Sequence, residues 1–306
     1  MQKIAAFFLV KTGIFFFLFL FLQFHTVHAS VDTIKVVATI SPLADFARQV
    51  GGEKVEVTLL LPPGASPHTF EPTPKIIRKI AEARIFLKIG SGLEFWADRM
   101  IHSASTNIYI VDSSAGVDLI TDISHHDKHE HHGQEDRAHA DPHIWLDPVI
   151  CIQIISKIET ALSKIDPPNA LYYKRNAAAY QKKLRQLDKE IAERTKLFRT
   201  REYVTFHSAW NYFSRRYGLK VAAVIEESPG KEPAPRQVKK IIEILKRQNT
   251  RVVFAEPQFS PKIAETIARE AGGKVLFLDP EGGQKGRDTY IAMMQYNLAI
   301  MEKALK

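Results

Sequence analysis

Seven of the twelve histidines in this 306-residue chain fall within twenty residues, from Ser124 to His143. The segment reads SHHDKHEHHGQEDRAHADPH, and its other side chains are mostly charged or small. Neutral imidazole is a common ligand of zinc and of other first-row transition metals. The composition therefore indicates metal binding. It leaves open whether this segment forms the main site, assists a site elsewhere or binds metal only incidentally.

The part of this segment from 124 to 140 lacks large apolar side chains, so it cannot bury enough surface to order itself. We therefore predict a disordered loop, and a mobile ligand loses chain entropy when it binds. This accessory loop is expected to hold zinc weakly, beside a stronger site. Zinc collection, sensing of zinc excess and incidental affinity remain open as its role. Its histidines are His125, His126, His129, His131, His132 and His139.

Four residues outside the accessory loop have metal-binding side chains at comparable places in the chain. His68 follows an apolar run, His207 and Asp279 each end one, and His143 follows the loop. A single histidine after a strand is more often a structural hydrogen-bonding group than a ligand. Together, three imidazoles and one carboxylate can hold a borderline-soft divalent ion in a four-coordinate site. The shared placement of these residues is what favours a metal site.

The elements around these residues predict an α/β protein with two lobes. In the first, 30–165, the apolar runs TIKVVATI, EVTLLL, RIFLKIG and NIYIVD alternate with amphipathic stretches. In the second, 199–306, the runs EYVTFH, LKVAAVIEE, TRVVFAEP and KVLFLDP do the same. Continuous apolar strands that alternate with helices are typical of parallel sheets covered on both faces. Ligands of such sheets bind beyond the carboxyl ends of the strands, so two facing lobes predict a cleft.

A long polar stretch joins the two lobes over 166–198. It is free of Gly and Pro from Asn169 to Leu197, and Leu184, Leu187 and Ile191 stand at helical spacing. This pattern predicts one long linking helix with a narrow apolar stripe.

The first 29 residues have the pattern of a secretory signal peptide. Lys3 and Lys11 flank an apolar run, and Val27-His28-Ala29 places small residues where a signal peptidase cleaves. The alternative is an uncleaved membrane anchor. The one cysteine, Cys151, lies in an apolar run far from the cleavage site, so we expect neither a lipid anchor nor a disulfide. The mature protein is expected to be a periplasmic monomer.

The formal net charge of +8 does not indicate a nucleic-acid partner. No dense run of Lys and Arg interleaved with aromatic residues occurs in the chain. Such a run is typical of nucleic-acid interfaces. The basic side chains are instead expected to form a solvated surface.

Several motifs are similar to those of the ZnuA/TroA family, the substrate-binding subunits of zinc and manganese ABC importers. They are GASPHTFEPTP, DPHIWLDP, TFHSAWNYFSRRYGL, FAEPQFSP and FLDP. The resemblance implies two α/β lobes bridged by one helix, with transported Zn²⁺ in the cleft and a membrane permease as partner. It implies that the ligands are His68, His143, His207 and Asp279. An acidic, histidine-rich insertion before the second ligand is common in the zinc branch. Relatives there can carry a disulfide in the second lobe, which a single cysteine excludes here.

Two glutamates near the expected ligands have alternative interpretations. A ligating imidazole usually donates its other N–H to an oxygen atom. Glu71 could orient His68 in this way or cap the helix that begins near Thr73. Glu256 ends a strand and has either a structural role or one beside a ligand. Trp145 and Trp210 are interpreted as part of a hydrophobic shell.

Four functions are compatible with these residues. The first is a periplasmic zinc carrier for a permease, and the second is a manganese or iron carrier of the same class. The third is a zinc hydrolase, in which the metal would keep an open position beside a general base. The chain has no His-Glu-x-x-His motif, and four protein ligands would close the site. The fourth is a surface adhesin, for which no anchor is expected. The residues favour the zinc carrier.

Overall fold

The computed structural model describes residues 33–104, 107–121, 140–227, 230–247 and 252–306. Predictions for the signal peptide, and for the accessory loop except Ala140, lie outside these residues. The helices are α1 Ser41–Gly51, α2 Pro74–Ala81, α3 Ala97–Ala104, α4 Pro148–Ile165, α5 Ala170–Thr195, α6 Asn211–Tyr217, α7 Pro235–Arg247, α8 Lys262–Glu270 and α9 Tyr290–Leu305. Short 3₁₀ turns cover Gly52–Lys54, Ile144–Leu146, Pro167–Asn169 and Ser208–Trp210.

Within the described residues, eight strands form two four-stranded sheets, and every strand pair is parallel. The strands are β1 Ile34–Ala38, β2 Val55–Leu59, β3 Ile85–Lys88, β4 Tyr109–Asp112, β5 Glu202–Thr205, β6 Lys220–Val224, β7 Val252–Ala255 and β8 Lys274–Phe277. The first sheet has the order β2-β1-β3-β4 and the second repeats it as β6-β5-β7-β8. The predicted fold of two parallel α/β lobes is confirmed.

Each sheet packs one face inside its own lobe and the other against a core that both lobes share. In β1, Val37 faces the cluster under α2 and α3, whereas Val36 faces the shared core. The second lobe buries Val204 against α7 and α8 in the same way. The shared core contains Leu87 from the first sheet and Phe254 from the second. Apolar side chains on both faces explain why the strands read as continuous apolar runs.

The long helix α5 carries the shared core from one lobe to the other. The predicted stripe is buried, with Leu184 and Ile191 fully so and Leu187 nearly so. The helix packs against α4, α1 and α9, which belong to different lobes. It starts at Ala170, after the 3₁₀ turn Pro167–Asn169, because proline is tolerated in a first turn but not inside a helix. The lobes are therefore joined by packing as well as by the chain.

None of the helices in the described residues is long and apolar enough to cross a membrane.

We expect Leu184→Ala to lower the unfolding free energy of the metal-free protein by about 2–5 kcal/mol, because it opens a cavity in the shared core. Leu171→Ala on the same helix is the matched control, since Leu171 is 75% exposed. That control should stay within about 0.5 kcal/mol of wild type. Urea unfolding followed by circular dichroism measures both. Equal effects of the two substitutions would contradict a shared core centred on α5.

Candidate metal centre

Three imidazoles from separate parts of the chain meet in the cleft between the lobes. Nε2 of His143 lies 3.1 Å from Nε2 of His68 and 3.2 Å from Nε2 of His207. One ring nitrogen from each of the three lies within 4.8 Å of the other two. Zinc–nitrogen bonds of about 2.0–2.1 Å in a tetrahedron separate ligand nitrogens by roughly 3.3 Å. The three nitrogens therefore match the spacing of a zinc site.

Local structure fixes two of these histidines firmly. His143 directly precedes the 3₁₀ turn Ile144–Leu146, and His207 directly precedes the turn Ser208–Trp210. His207 also follows the buried strand β5, so its position is set by the sheet. Both histidines are almost fully buried. His68 lies in the loop between β2 and α2 and is half-buried.

A carboxylate holds His143 in the orientation that a ligand needs. Oδ1 of Asp141 accepts hydrogen bonds from the backbone N–H of His143 at 2.9 Å and from its Nδ1 at 2.7 Å. This contact assigns the ring proton to Nδ1 and leaves the Nε2 lone pair facing the cleft. The other oxygen of Asp141 accepts from Asn211 Nδ2 at 3.0 Å. Sequence reasoning missed both residues, although an acid two positions before a histidine was a visible signal.

Glu256 has the corresponding role beside His207. Its Oε2 lies 2.7 Å from Nδ1 of His207, and Glu256 is 1% exposed. The contact angle falls outside the range of a regular hydrogen bond. The 2.7 Å separation nevertheless brings Glu256 into direct contact with the ring nitrogen of His207 that lies outside the Nε2 cluster.

His68 lacks the partner considered for it. Glu71 is exposed, and among the described residues no hydrogen bond joins it to His68. The ring of His68 is nevertheless enclosed by the other two imidazoles. Burial, with a smaller contribution from His143 and His207, lowers the pKa of His68 to about 2. His68 is therefore neutral at physiological pH, which is the form that binds metal.

Asp279 lies outside the imidazole cluster found among the described residues. It is fully buried, and its Oδ1 accepts from Gln258 Nε2 at 3.0 Å and from the backbone N–H groups of Glu281 and Gly282 at 3.1 and 3.0 Å. Its Oδ2 lies 3.3 Å from Nε of Arg287, off the line of a hydrogen bond. The charge of Asp279 is thus already compensated by the protein.

Glu281, which sequence reasoning missed, is an acidic group close to the histidines, although among the described residues it lies outside the imidazole cluster, as Asp279 does. It lines a small cavity together with His68, His207 and Glu256, and it is 5% exposed. Within the described part of the chain, its Oε2 is buried without a hydrogen-bond partner. Burial, followed by the negative charges of Asp279, Glu256 and Glu94, raises its pKa well above the ordinary value. A cation beside the imidazoles would satisfy this oxygen.

The family model described as zinc-uptake complex component A, periplasmic, matches residues 36–304. The chain belongs to the ZnuA family. It is 33% identical over 281 residues to the high-affinity zinc uptake system protein ZnuA of Bacillus subtilis (strain 168), covering 90% of this chain and 88% of that protein. The resemblance drawn from its motifs is therefore confirmed.

Two further relatives define how far the similarity to ZnuA-family proteins extends. The zinc-binding lipoprotein AdcA of Streptococcus pneumoniae (strain ATCC BAA-255 / R6) is 32% identical over 280 residues. The match covers 89% of this chain but only 55% of AdcA, so the chain spans about half the length of that relative. The crystal structure of a zinc-bound ZnuA deletion mutant superposes with a TM-score of 0.79 at 30% identity, covering 90% of this chain and 99% of that one.

The environment of His68 predicts a specific pH dependence of stability for the metal-free protein. Below about pH 6.5 the unfolded chain protonates this histidine, while the folded protein keeps it neutral until about pH 2. The unfolded state therefore binds more protons, and stability falls as the pH falls. We expect His68→Gln to flatten this slope by up to about 1.4 kcal/mol per pH unit between about pH 6.5 and 4.5.

Urea unfolding of metal-free wild type, His68→Gln and His102→Gln across this range measures the slope. His102 is exposed on α3, so its replacement should leave the slope unchanged. Parallel pH profiles for all three proteins would contradict burial of a neutral His68.

Proposed function

We propose that this chain binds Zn²⁺ in the cleft between its lobes and delivers it to the membrane permease of an ABC importer. The observation that carries the proposal is that Nε2 of His143 lies 3.1 and 3.2 Å from the Nε2 atoms of the other two histidines. The Nδ1 atoms of His143 and His207 each lie 2.7 Å from a carboxylate oxygen. The family's zinc-uptake role and the zinc-bound neighbouring structure support the same metal.

The donor set favours zinc over manganese or iron. Three imidazole nitrogens suit Zn²⁺, whereas Mn²⁺ prefers more oxygen ligands and a higher coordination number. Zn²⁺ has no geometric preference from its d-electrons, so a compact tetrahedral site costs it little. We therefore keep zinc as the transported ion. The histidines of the accessory loop are proposed to add weaker zinc sites beside this one.

Carriage fits the site better than hydrolysis does. A catalytic zinc keeps one position open for water and needs a general base that reaches it. Here the cavity beside the imidazoles is small, and Glu256 and Glu281 already line it. A closed set of protein ligands binds an ion without leaving room for a substrate. We accordingly infer no catalytic activity.

We infer that Glu281, rather than Asp279, supplies the fourth ligand atom. Among the described residues, Glu281 has a buried oxygen without a hydrogen bond or an ion pair, and it lines the cavity with His68 and His207. Asp279 instead accepts hydrogen bonds from two backbone N–H groups in the turn that follows it. Asn297 holds its backbone on both sides, through bonds of 2.8 and 2.7 Å. Asp279 therefore shapes the segment that presents Glu281.

The proposed location is the periplasm, reached through cleavage of the signal peptide after Ala29, without a lipid anchor. The AdcA relative is named a lipoprotein. Under this proposal, the present chain would differ from AdcA in the way it is retained outside the cytoplasm. Fractionation of cells that produce the full chain tests this location. Release with the periplasmic fraction supports it, and retention in the membrane pellet contradicts it.

We expect His207→Ala to weaken zinc binding by more than about 100-fold, because loss of a ligand should exceed the 10–100-fold effect of losing an outer partner. His207→Glu should narrow the preference for Zn²⁺ over Mn²⁺, since it exchanges a nitrogen for an oxygen. Chelator competition with both ions measures the dissociation constants, and the exposed His102→Ala is the control. If His207→Ala stayed within about twofold of wild type, the zinc proposal would lose its main support.

Glu281→Gln and Asp279→Asn should separate the two acidic roles. The first should lower zinc affinity at least about tenfold while keeping or raising the stability of the metal-free protein, because burial already disfavours the charged form of Glu281 there. The second should lower that stability by about 1–3 kcal/mol, because Arg287 loses its charged partner. Chelator competition and urea unfolding of both variants measure these effects. The result would assign the ligand role to Asp279 if Asp279→Asn lowered zinc affinity more than Glu281→Gln did, without changing the stability of the metal-free protein.

A further inference from the structure

One hydrogen bond joins the histidine side of the cleft to its acidic side. Trp145 lies in the turn Ile144–Leu146, two residues after His143, and is fully buried. Its Nε1 donates to the backbone carbonyl of Pro280 at 2.7 Å. Pro280 stands between Asp279 and Glu281, so this bond reaches the segment that carries both carboxylates.

The backbone of Trp145 is held by the same part of the second lobe. Its carbonyl accepts a hydrogen bond from the Tyr290 hydroxyl at 2.8 Å. Tyr290 begins α9, and its backbone N–H donates to Oδ2 of Asp45 in α1 at 2.9 Å. The ring of Trp145 also lies 5.2 Å, centroid to centroid, from that of His143. Trp145 is therefore fixed on one side against a histidine and on the other against the acidic segment.

We propose that Trp145 is a positioning residue for zinc binding, whose indole N–H holds the 279–282 segment at the distance from the imidazoles that a four-coordinate ion requires. This inference rests on the proposed function and adds a determinant of affinity to it. The sequence interpretation of Trp145 as part of a hydrophobic shell describes its ring but not its N–H group.

Preorganisation is the physical reason for an effect on affinity. Without the indole N–H, the Pro280 carbonyl is buried without a donor, and the acidic segment relaxes to find another partner. Zinc binding must then reorder the segment, and that cost lowers the affinity. A contact that only stabilised the fold would act equally on the empty and the loaded protein. Its loss would cancel in the zinc dissociation constant.

Trp210 provides a matched comparison within the same chain. It lies in the turn Ser208–Trp210, three residues after His207, and it is also fully buried. Its Nε1 has no hydrogen-bond partner among the described protein atoms. The two tryptophans therefore occupy corresponding places in the two lobes, but Trp145 alone of the pair donates across the cleft. Replacement by Phe removes the indole group at either position. Only at position 145 does it also remove a cross-lobe hydrogen bond.

The test is chelator competition for Zn²⁺ with wild type, Trp145→Phe, Trp210→Phe, Glu281→Gln and the double variant Trp145→Phe/Glu281→Gln. We expect Trp145→Phe to weaken binding about tenfold and Trp210→Phe to stay within about twofold of wild type. In the Glu281→Gln background, Trp145→Phe should cost less than about twofold, because both changes act through one segment. The inference is overturned if folded Trp145→Phe binds like wild type, or if its effect is undiminished in the Glu281→Gln background.

A measurement on wild type keeps the inference testable if Trp145→Phe does not fold. Coupling between two equilibria is reciprocal. If the Trp145–Pro280 hydrogen bond raises zinc affinity by some factor, bound zinc must favour formation of that hydrogen bond by the same factor. Exchange of the indole hydrogens, followed by NMR, should slow with zinc about tenfold more for Trp145 than for Trp210. Equal slowing of the two overturns the inference. Wild type that binds no zinc refutes the proposed function instead, so the two failures are distinguishable.

Discussion

To bind a metal ion, the cleft must present three facing imidazole nitrogens that carry no proton. Protonated rings at 3.1–3.2 Å would repel, and protonated nitrogens cannot ligate a metal. Burial supplies part of the solution, since it disfavours the charged ring and lowers the pKa of His68. Carboxylates contribute as well, because Asp141 holds the ring proton of His143 on Nδ1, and Glu256 lies 2.7 Å from Nδ1 of His207.

This requirement concentrates negative charge in the same small volume. Besides Glu256, the carboxylates of Asp279, Glu281 and Glu94 are buried there. Burial, followed by the charges of Asp279, Glu256 and Glu94, raises the pKa of Glu281. Glu94 is stabilised by the Thr39 hydroxyl and by two backbone N–H groups, at 2.6 to 3.0 Å. Asp279 is compensated by Arg287. Among the described residues, Glu281 keeps a buried oxygen without a hydrogen-bond partner, as does Oε1 of Glu256, so a divalent cation in the cleft would offset negative charge there.

The packing of the lobes gives the site its rigidity. A core shared by both sheets and crossed by α5 limits how far the two halves of the ligand set can separate. Cross-lobe hydrogen bonds act near the site itself, from Trp145 to Pro280 and from Asn211 to Asp141. His68 is the most exposed of the three histidines, because the other two are almost fully buried.

The sequence by itself determined the two α/β lobes, the linking helix and the three histidines. Apolar periodicity is a local property, and a histidine at the end of a strand is placed by that strand, so both can be inferred from neighbours along the chain. The proposal of Glu281 rather than Asp279 as fourth ligand rests on the tertiary structure, and so do the contacts of His143 with Asp141 and of His207 with Glu256. These contacts depend on which side chains meet across separations such as the 70 residues between Asp141 and Asn211. A carboxylate is left free for a metal or used as a structural acceptor according to the hydrogen-bond donors that folding brings to it. Asp279 and Glu281 stand two residues apart, so the local sequence does not distinguish them.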